Sequence, residues 1–121
     1  MAKKTTQTYA PDQVLQKLAA DLPKWEYQDG WIRRTFKTAG WPHTLMLVNA
    51  IGYLAEAAFH HPDLTVSWAQ VQVKLMTHSA KGITENDFDL ARRVEEAALW
   101  QPSEDSPLDG FEKGFGKKWT R

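Results

Sequence analysis

The apolar run from Leu45 to Phe59 limits most strongly what this chain can fold into. Leu45, Leu47, Val48, Ile51, Leu54, Ala55 and Ala58 would place apolar groups on more than one side of a helix. The pattern predicts a helix from about His43 to about His60, buried against a sheet and with apolar surface left over for another subunit. Gly40, Trp41 and Pro42 read as the loop before it. Pro62 forbids its continuation and pushes His61 away from the α region. Asn49 and Glu56 interrupt the run, and it falls short of the ~20 residues a membrane-spanning helix needs.

The other elements follow from shorter signals. Pro11 suits the first position of a helix, and Val14, Leu15, Leu18 and Leu22 form its apolar stripe before Pro23. Residues 25–28 and 31–36 read as strands. Asp29-Gly30 between them suits a type I′ turn, which needs positive φ at both positions. Val71, Val73, Leu75 and Thr77 alternate with polar neighbours through His78, a strand with one buried face; Val66 to Trp68 is its expected hairpin partner. Thr84 is a good N-cap, with Asp87 at the third helical position, and Phe88, Ala91, Val94 and Ala98 carry a last helix to Trp100. The order α-β-β-α-β-β-α predicts an α+β fold, a four-stranded antiparallel sheet with three helices on one face.

The chain has 121 residues, enough for one core. Fifteen basic and fifteen acidic residues cancel, so no global positive field points to nucleic acid. The absence of cysteine excludes a disulfide framework and a zinc-thiolate site. Met1 to Thr8 is polar and no apolar signal region follows, so the expectation is a cytoplasmic protein with a flexible N-terminus over 1–10, a domain over 11–100 and an extension over 101–121. Pro102, Pro107, Gly110, Gly114 and Gly116 argue against a regular element in the extension. Phe111, Phe115 and Trp119 argue against a merely solvated tail.

Three of the four histidines, His60, His61 and His78, fall within nineteen positions, bracketed by Glu56 and Asp87. Histidine exchanges protons near neutral pH, so the cluster suggests a proton-transfer site. Glu56 and His60, four apart, are expected on one helix face. Histidines with carboxylates can also bind metal, but the helical pair at i, i+4 is missing, so no metal site is expected. Taken singly, each residue has a plainer explanation. A lone histidine is more often structural, Asp87 is accounted for by capping, Pro62 by the helix stop, and Trp68 by core packing. His43 reads only as a helix-start residue.

The spacing Glu56, His60, His61, Pro62, Trp68, His78, Asp87 matches, without a gap, the signature Glu/Asp-x3-His-His-Pro-x5-aromatic-x9-His-x8-Asp. Over about residues 10–100 the chain thereby resembles the pterin-4a-carbinolamine dehydratase family. The resemblance implies a hydro-lyase that removes water from a 4a-hydroxytetrahydropterin without a cofactor, in the recycling of the cofactor of aromatic amino acid hydroxylases. It implies that His60 and His78 are the acid–base pair and that His61 binds or orients the pterin. Glu56 would lie at the pocket mouth, with Pro62, Trp68, Asp87 and Trp25 toward the substrate, Trp25 stacked on the ring and Asp87 able to fix a histidine tautomer by accepting its other N–H. It also implies a homo-oligomer, a dimer or tetramer. A different reading is an interaction protein, since some relatives act as dimerisation cofactors or assembly factors. A third is a dehydratase of molybdopterin-related pterin metabolism. Retention of the histidines favours catalysis.

Overall fold

A computed structural model describes residues 7–121. Helix α1 (Pro11–Asp21) precedes strands β1 (Glu26–Gln28) and β2 (Trp31–Lys37); helix α2 (Trp41–Ala58) leads to β3 (Asp63–Ser67) and β4 (Gln70–Leu75); helix α3 (Glu85–Leu99) and a short α4 (Phe111–Phe115) complete the chain. The four strands form one antiparallel sheet in the order β1-β2-β4-β3. The expected α+β fold and element order are therefore present. Asp29 and Gly30 both take positive φ, 54° and 84°, as the tight β1–β2 hairpin requires.

The core lies on one face of the sheet. Ile32 and Phe36 of β2 and Val71, Val73 and Leu75 of β4 pack with Val14 and Leu18 of α1, Leu47, Ile51 and Ala55 of α2, and Phe88, Ala91 and Val94 of α3. The register sets Ile32 beside Leu75 and Phe36 beside Val71, so one strand face is continuous and apolar. Arg34 lies on this buried face too. Glu95 holds it with two bonds of 3.1 and 3.2 Å, and its guanidinium sits 4.2 Å from the centre of the Phe36 ring. A buried cation needs such a partner.

Several boundaries differ from the sequence reading. Helix α2 starts at Trp41, with Gly40 as N-cap at φ 148°. Pro42 therefore falls in the first turn, where a missing N–H costs nothing, and Trp41-Pro42 is helix rather than loop. The helix ends at Ala58, four residues before Pro62. Phe59 is left-handed, with φ 51° and ψ 46°. Its N–H donates to Glu56 O (3.1 Å) and that of His60 to Ala55 O (3.1 Å), the two bonds of a Schellman motif. A phenylalanine in this conformation costs about 1–2 kcal/mol, which is why its sequence does not announce the stop. Strand β3 starts at Asp63, and Trp68-Ala69 forms the turn to β4. His78 is not on the strand but opens a 3-10 turn, His78–Ala80.

The described residues are tied down at both ends. Residues 1–6 of the expected flexible N-terminus lie outside the described residues, but Tyr9 N–H donates to Ile83 O (2.8 Å) and its ring meets Phe88 edge-on. The extension contains a helix after all, and its end docks. Arg121 and Lys37 exchange both backbone hydrogen bonds, 2.7 and 3.0 Å, extending the sheet past the short strand β1. Thr120 is buried.

Candidate active site

The left-handed Phe59 turns the chain off the end of α2 before the two histidines. Glu56 and His60 therefore do not share a helix face, and each pairs elsewhere. His60 Nε2 lies 2.7 Å from Asp87 Oδ1, and His61 Nε2 lies 2.9 Å from Glu56 Oε1. The two pairs differ in burial. Asp87 is fully buried and His60 is 17 % exposed, whereas the side chains of His61 and Glu56 are 52 % and 75 % exposed. The His61–Glu56 pair is thus a solvated contact of small energetic weight.

Asp87 does two jobs. It closes the capping box of α3, its Oδ2 accepting the Thr84 N–H at 2.9 Å while Thr84 Oγ1 caps the first turn. The same Oδ2 accepts the Thr77 hydroxyl at 2.8 Å, and the other oxygen faces His60. Capping explains the carboxylate's position, and the second oxygen is left for the histidine. His78 follows Thr77 directly, so its backbone is anchored beside the same carboxylate. Its ring is exposed and meets Trp31 edge-on at 5.5 Å, with Lys74 Nζ 4.6 Å over the Trp31 ring. Sequence reasoning assigned Trp31 no role; only the pairing of β2 with β4 brings it to His78.

Two of the expected site residues lie elsewhere. Trp25 is 3 % exposed in the core, and its indole N–H donates to Glu95 Oε1 at 2.8 Å. Neither ring face is open to stack on a ligand. Trp68 packs at the start of α2, where a Cβ on Gly40 would lie 3.3 Å from its ring, and its carbonyl accepts the Thr44 hydroxyl. The eighteen residues of α2 span about 27 Å, so within one subunit Trp68 and His60 sit at opposite ends of that helix. Pro62 is half-buried, between His61 and the start of β3.

The model of the pterin 4 alpha carbinolamine dehydratase family matches residues 7–97. The chain belongs to that family. A protein of Aquifex aeolicus named "Putative pterin-4-alpha-carbinolamine dehydratase" is 50% identical over 76 residues, 63% of this chain and 77% of the relative. One of the same name from Roseiflexus sp. (strain RS-1) is 39% identical over 89 residues, 74% of this chain and 96% of its own length. Among solved structures, a transcriptional coactivator/pterin dehydratase from Brucella melitensis aligns with a TM-score of 0.68 at 28% identity, covering 74% of this chain and 96% of its own. A pterin dehydratase-like RuBisCO assembly factor of the α-carboxysome shares the fold, with a TM-score of 0.52 at 18% identity over 62% of this chain and 87% of its own.

This pterin carbinolamine dehydratase family member thus brings His60, Asp87 and the His78 backbone to one corner, with His61 and Glu56 on its outer edge. Among the described residues no group of three or more His, Asp or Glu side chains is arranged to hold a metal ion. Nor is any helix there long and apolar enough to cross a membrane.

Proposed function

We propose that this chain is an active pterin-4a-carbinolamine dehydratase, a hydro-lyase that converts a 4a-hydroxytetrahydropterin to quinonoid dihydropterin and water. In the reaction the C4a–O bond breaks, the N5–H bond gives up its proton, and a C4a=N5 double bond forms. One proton is delivered to the departing hydroxyl and one is taken from N5, so two groups that exchange protons near neutral pH suffice. His60 and His78 are proposed as that pair, and His61 with Glu56 as the edge that orients the pterin.

The observation that carries the reading is the His60–Asp87 bond. A buried carboxylate accepting one ring N–H fixes the ring and balances the charge that forms when the other nitrogen takes a proton. An interaction protein has no need of that arrangement. Trp25 and Trp68 are left out of the proposed site on their positions.

A homo-oligomer is proposed as well, since Leu45, Met46 and Tyr53 leave an exposed apolar side on α2. The deciding assay follows dehydration of a 4a-hydroxytetrahydropterin generated in place. Turnover above the uncatalysed rate, lost in a His60→Ala/His78→Ala double variant, is expected. A folded wild-type chain that adds nothing to the uncatalysed rate would make the interaction-protein reading the better one.

A further inference from the structure

Thr77 stands where β4 gives way to the 3-10 turn. Its N–H donates to Gly82 O at 2.9 Å, and its side chain is buried. Its hydroxyl touches two groups, Asp87 Oδ2 at 2.8 Å and Thr84 Oγ1 at 2.7 Å. A hydroxyl has one proton to give. Asp87 as a carboxylate only accepts, so the Thr77 proton points at Oδ2. The proton shared by the two threonines then comes from Thr84, whose oxygen also accepts the Asn86 N–H at 3.2 Å. The donors thus run in one direction, from Thr84 to Thr77 to Asp87. The Thr84 N–H, which can only donate, fills the same oxygen Oδ2 at 2.9 Å. With Oδ2 taken by two donors, Oδ1 is the oxygen left for His60, and His60 Nε2 must carry a hydrogen to meet it at 2.7 Å.

We propose that Thr77 is a positioning residue of the active site: by holding the Asp87 carboxylate in this rotation it fixes His60 in the Nε2–H tautomer and leaves Nδ1 as the nitrogen that exchanges the substrate's proton. Its catalytic consequence rests on the dehydratase reading above, but its geometric content does not. The residue after Thr77 is His78, so a single side chain sets the ring of one histidine and the backbone of the other. Without the hydroxyl, Oδ2 loses one of its two donors and the buried Thr84 hydroxyl loses its acceptor. The carboxylate can then turn, and His60 is no longer held to one tautomer.

The test compares Thr77→Val, which keeps the shape and removes the hydroxyl, with Thr77→Ser, which keeps the hydroxyl. Partners that orient functional histidines at metal sites are worth about 10–100-fold, and the lower end is expected here. Thr77→Val should lower kcat ~10-fold with KM changed less than about twofold, and Thr77→Ser should stay within about twofold of wild type. Imidazole nitrogen NMR supplies a readout independent of activity. His60 should show a single Nε2–H tautomer in the wild type and in Thr77→Ser, and a mixture in Thr77→Val. An unchanged tautomer in Thr77→Val overturns the proposal. So does a Thr77→Ser variant as impaired as Thr77→Val, because the methyl group would then be what matters. If Thr77→Val does not fold, Thr77→Cys, with its weak S–H donor, takes its place with the same expected outcomes. A wild-type chain that lacks dehydratase activity sinks the functional reading alone, and the NMR comparison still decides on Thr77.

Discussion

Helix α2 carries a histidine near each end, and the two are set up for opposite purposes. His60, just past the C-terminal end, gives one ring nitrogen to a buried carboxylate, and no described hydrogen bond occupies the other. His43, in the first turn, has both nitrogens engaged. Nδ1 accepts the Ala39 N–H at 3.0 Å, and Nε2 lies 2.8 Å from the Thr120 hydroxyl. Because Nδ1 accepts, His43 is neutral and Nε2 donates. The indole of Trp119 stacks on its ring at 4.4 Å, and Phe111 lies against it at 5.2 Å. Among the described residues no carboxylate hydrogen-bonds to it. Burial lowers its pKa from the ordinary value, and the Arg121 guanidinium lowers it further. The positive end of the helix acts in the same direction. The lesson is that a histidine's use follows from what fills its second nitrogen and what balances its charge. His60 can take up a proton in place, whereas His43 would have to give up a hydrogen bond to do so.

Exchanging these residues one at a time tests the contrast most severely. His60→Ala should lower kcat by ~10²–10⁴-fold, the usual weight of a positioned acid–base group, with little change in melting temperature. His43→Ala should do the reverse, keeping kcat within about twofold and costing about 2 kcal/mol of stability through the lost stack and hydrogen bonds. Steady-state kinetics and thermal melts on both variants check this. Equal losses of turnover would erase the distinction.

Truncation after Trp100 is the next step down. It removes Trp119, Thr120 and the Arg121–Lys37 pairing together and leaves the corner around Asp87 untouched. Turnover is expected to stay within about twofold while the melting temperature falls by several degrees. A collapse of turnover in a folded truncant would mean that the extension helps to shape the site.

The sequence showed the fold through signals that local chemistry determines: the Asp29-Gly30 turn, the Thr84–Asp87 cap and the alternation along β4. It misled where a residue departed from its usual behaviour. Phe59 takes the left-handed cap that glycine usually fills, so the end of α2 and the separation of Glu56 from His60 could not be read from spacing. Arg34 occupies an inward strand position because Glu95, sixty-one residues away, neutralises it. The site was legible as a set of residue types at fixed spacing; of these the structure pairs His60 with Asp87, while His78 comes near only through its neighbour Thr77, whose hydroxyl bonds the same carboxylate. It could not show that Trp25 is sealed by Glu95 or that Trp68 sits at the far end of α2, since both facts depend on contacts between residues far apart in the chain. The role of His43 was invisible for the same reason, because its partner Thr120 lies seventy-seven positions on.

The smallest expected effect is a pH dependence confined to the His43 end. The folded-state pKa of His43 is depressed, and its unfolded value is near the ordinary ~6.5. The unfolded chain therefore binds the proton more readily, and acid favours unfolding through this residue. The stability that neutral His43 contributes is complete above that ordinary value. It is lost as the pH falls from there through the lowered folded value. The Arg121 guanidinium works the same way, since its positive charge opposes a second one on the ring. Other groups titrate over the same range, so the wild-type curve alone would not isolate His43. A comparison with His43→Gln does. Glutamine can accept and donate as the neutral ring does, but it cannot take up a proton. The advantage of the wild type over His43→Gln in melting temperature should be largest near pH 8 and shrink steadily toward pH 5. Two melting curves that fall in parallel would show that His43 keeps its neutral contacts across the range, and the contrast between the two ends of α2 would then rest on hydrogen bonding alone.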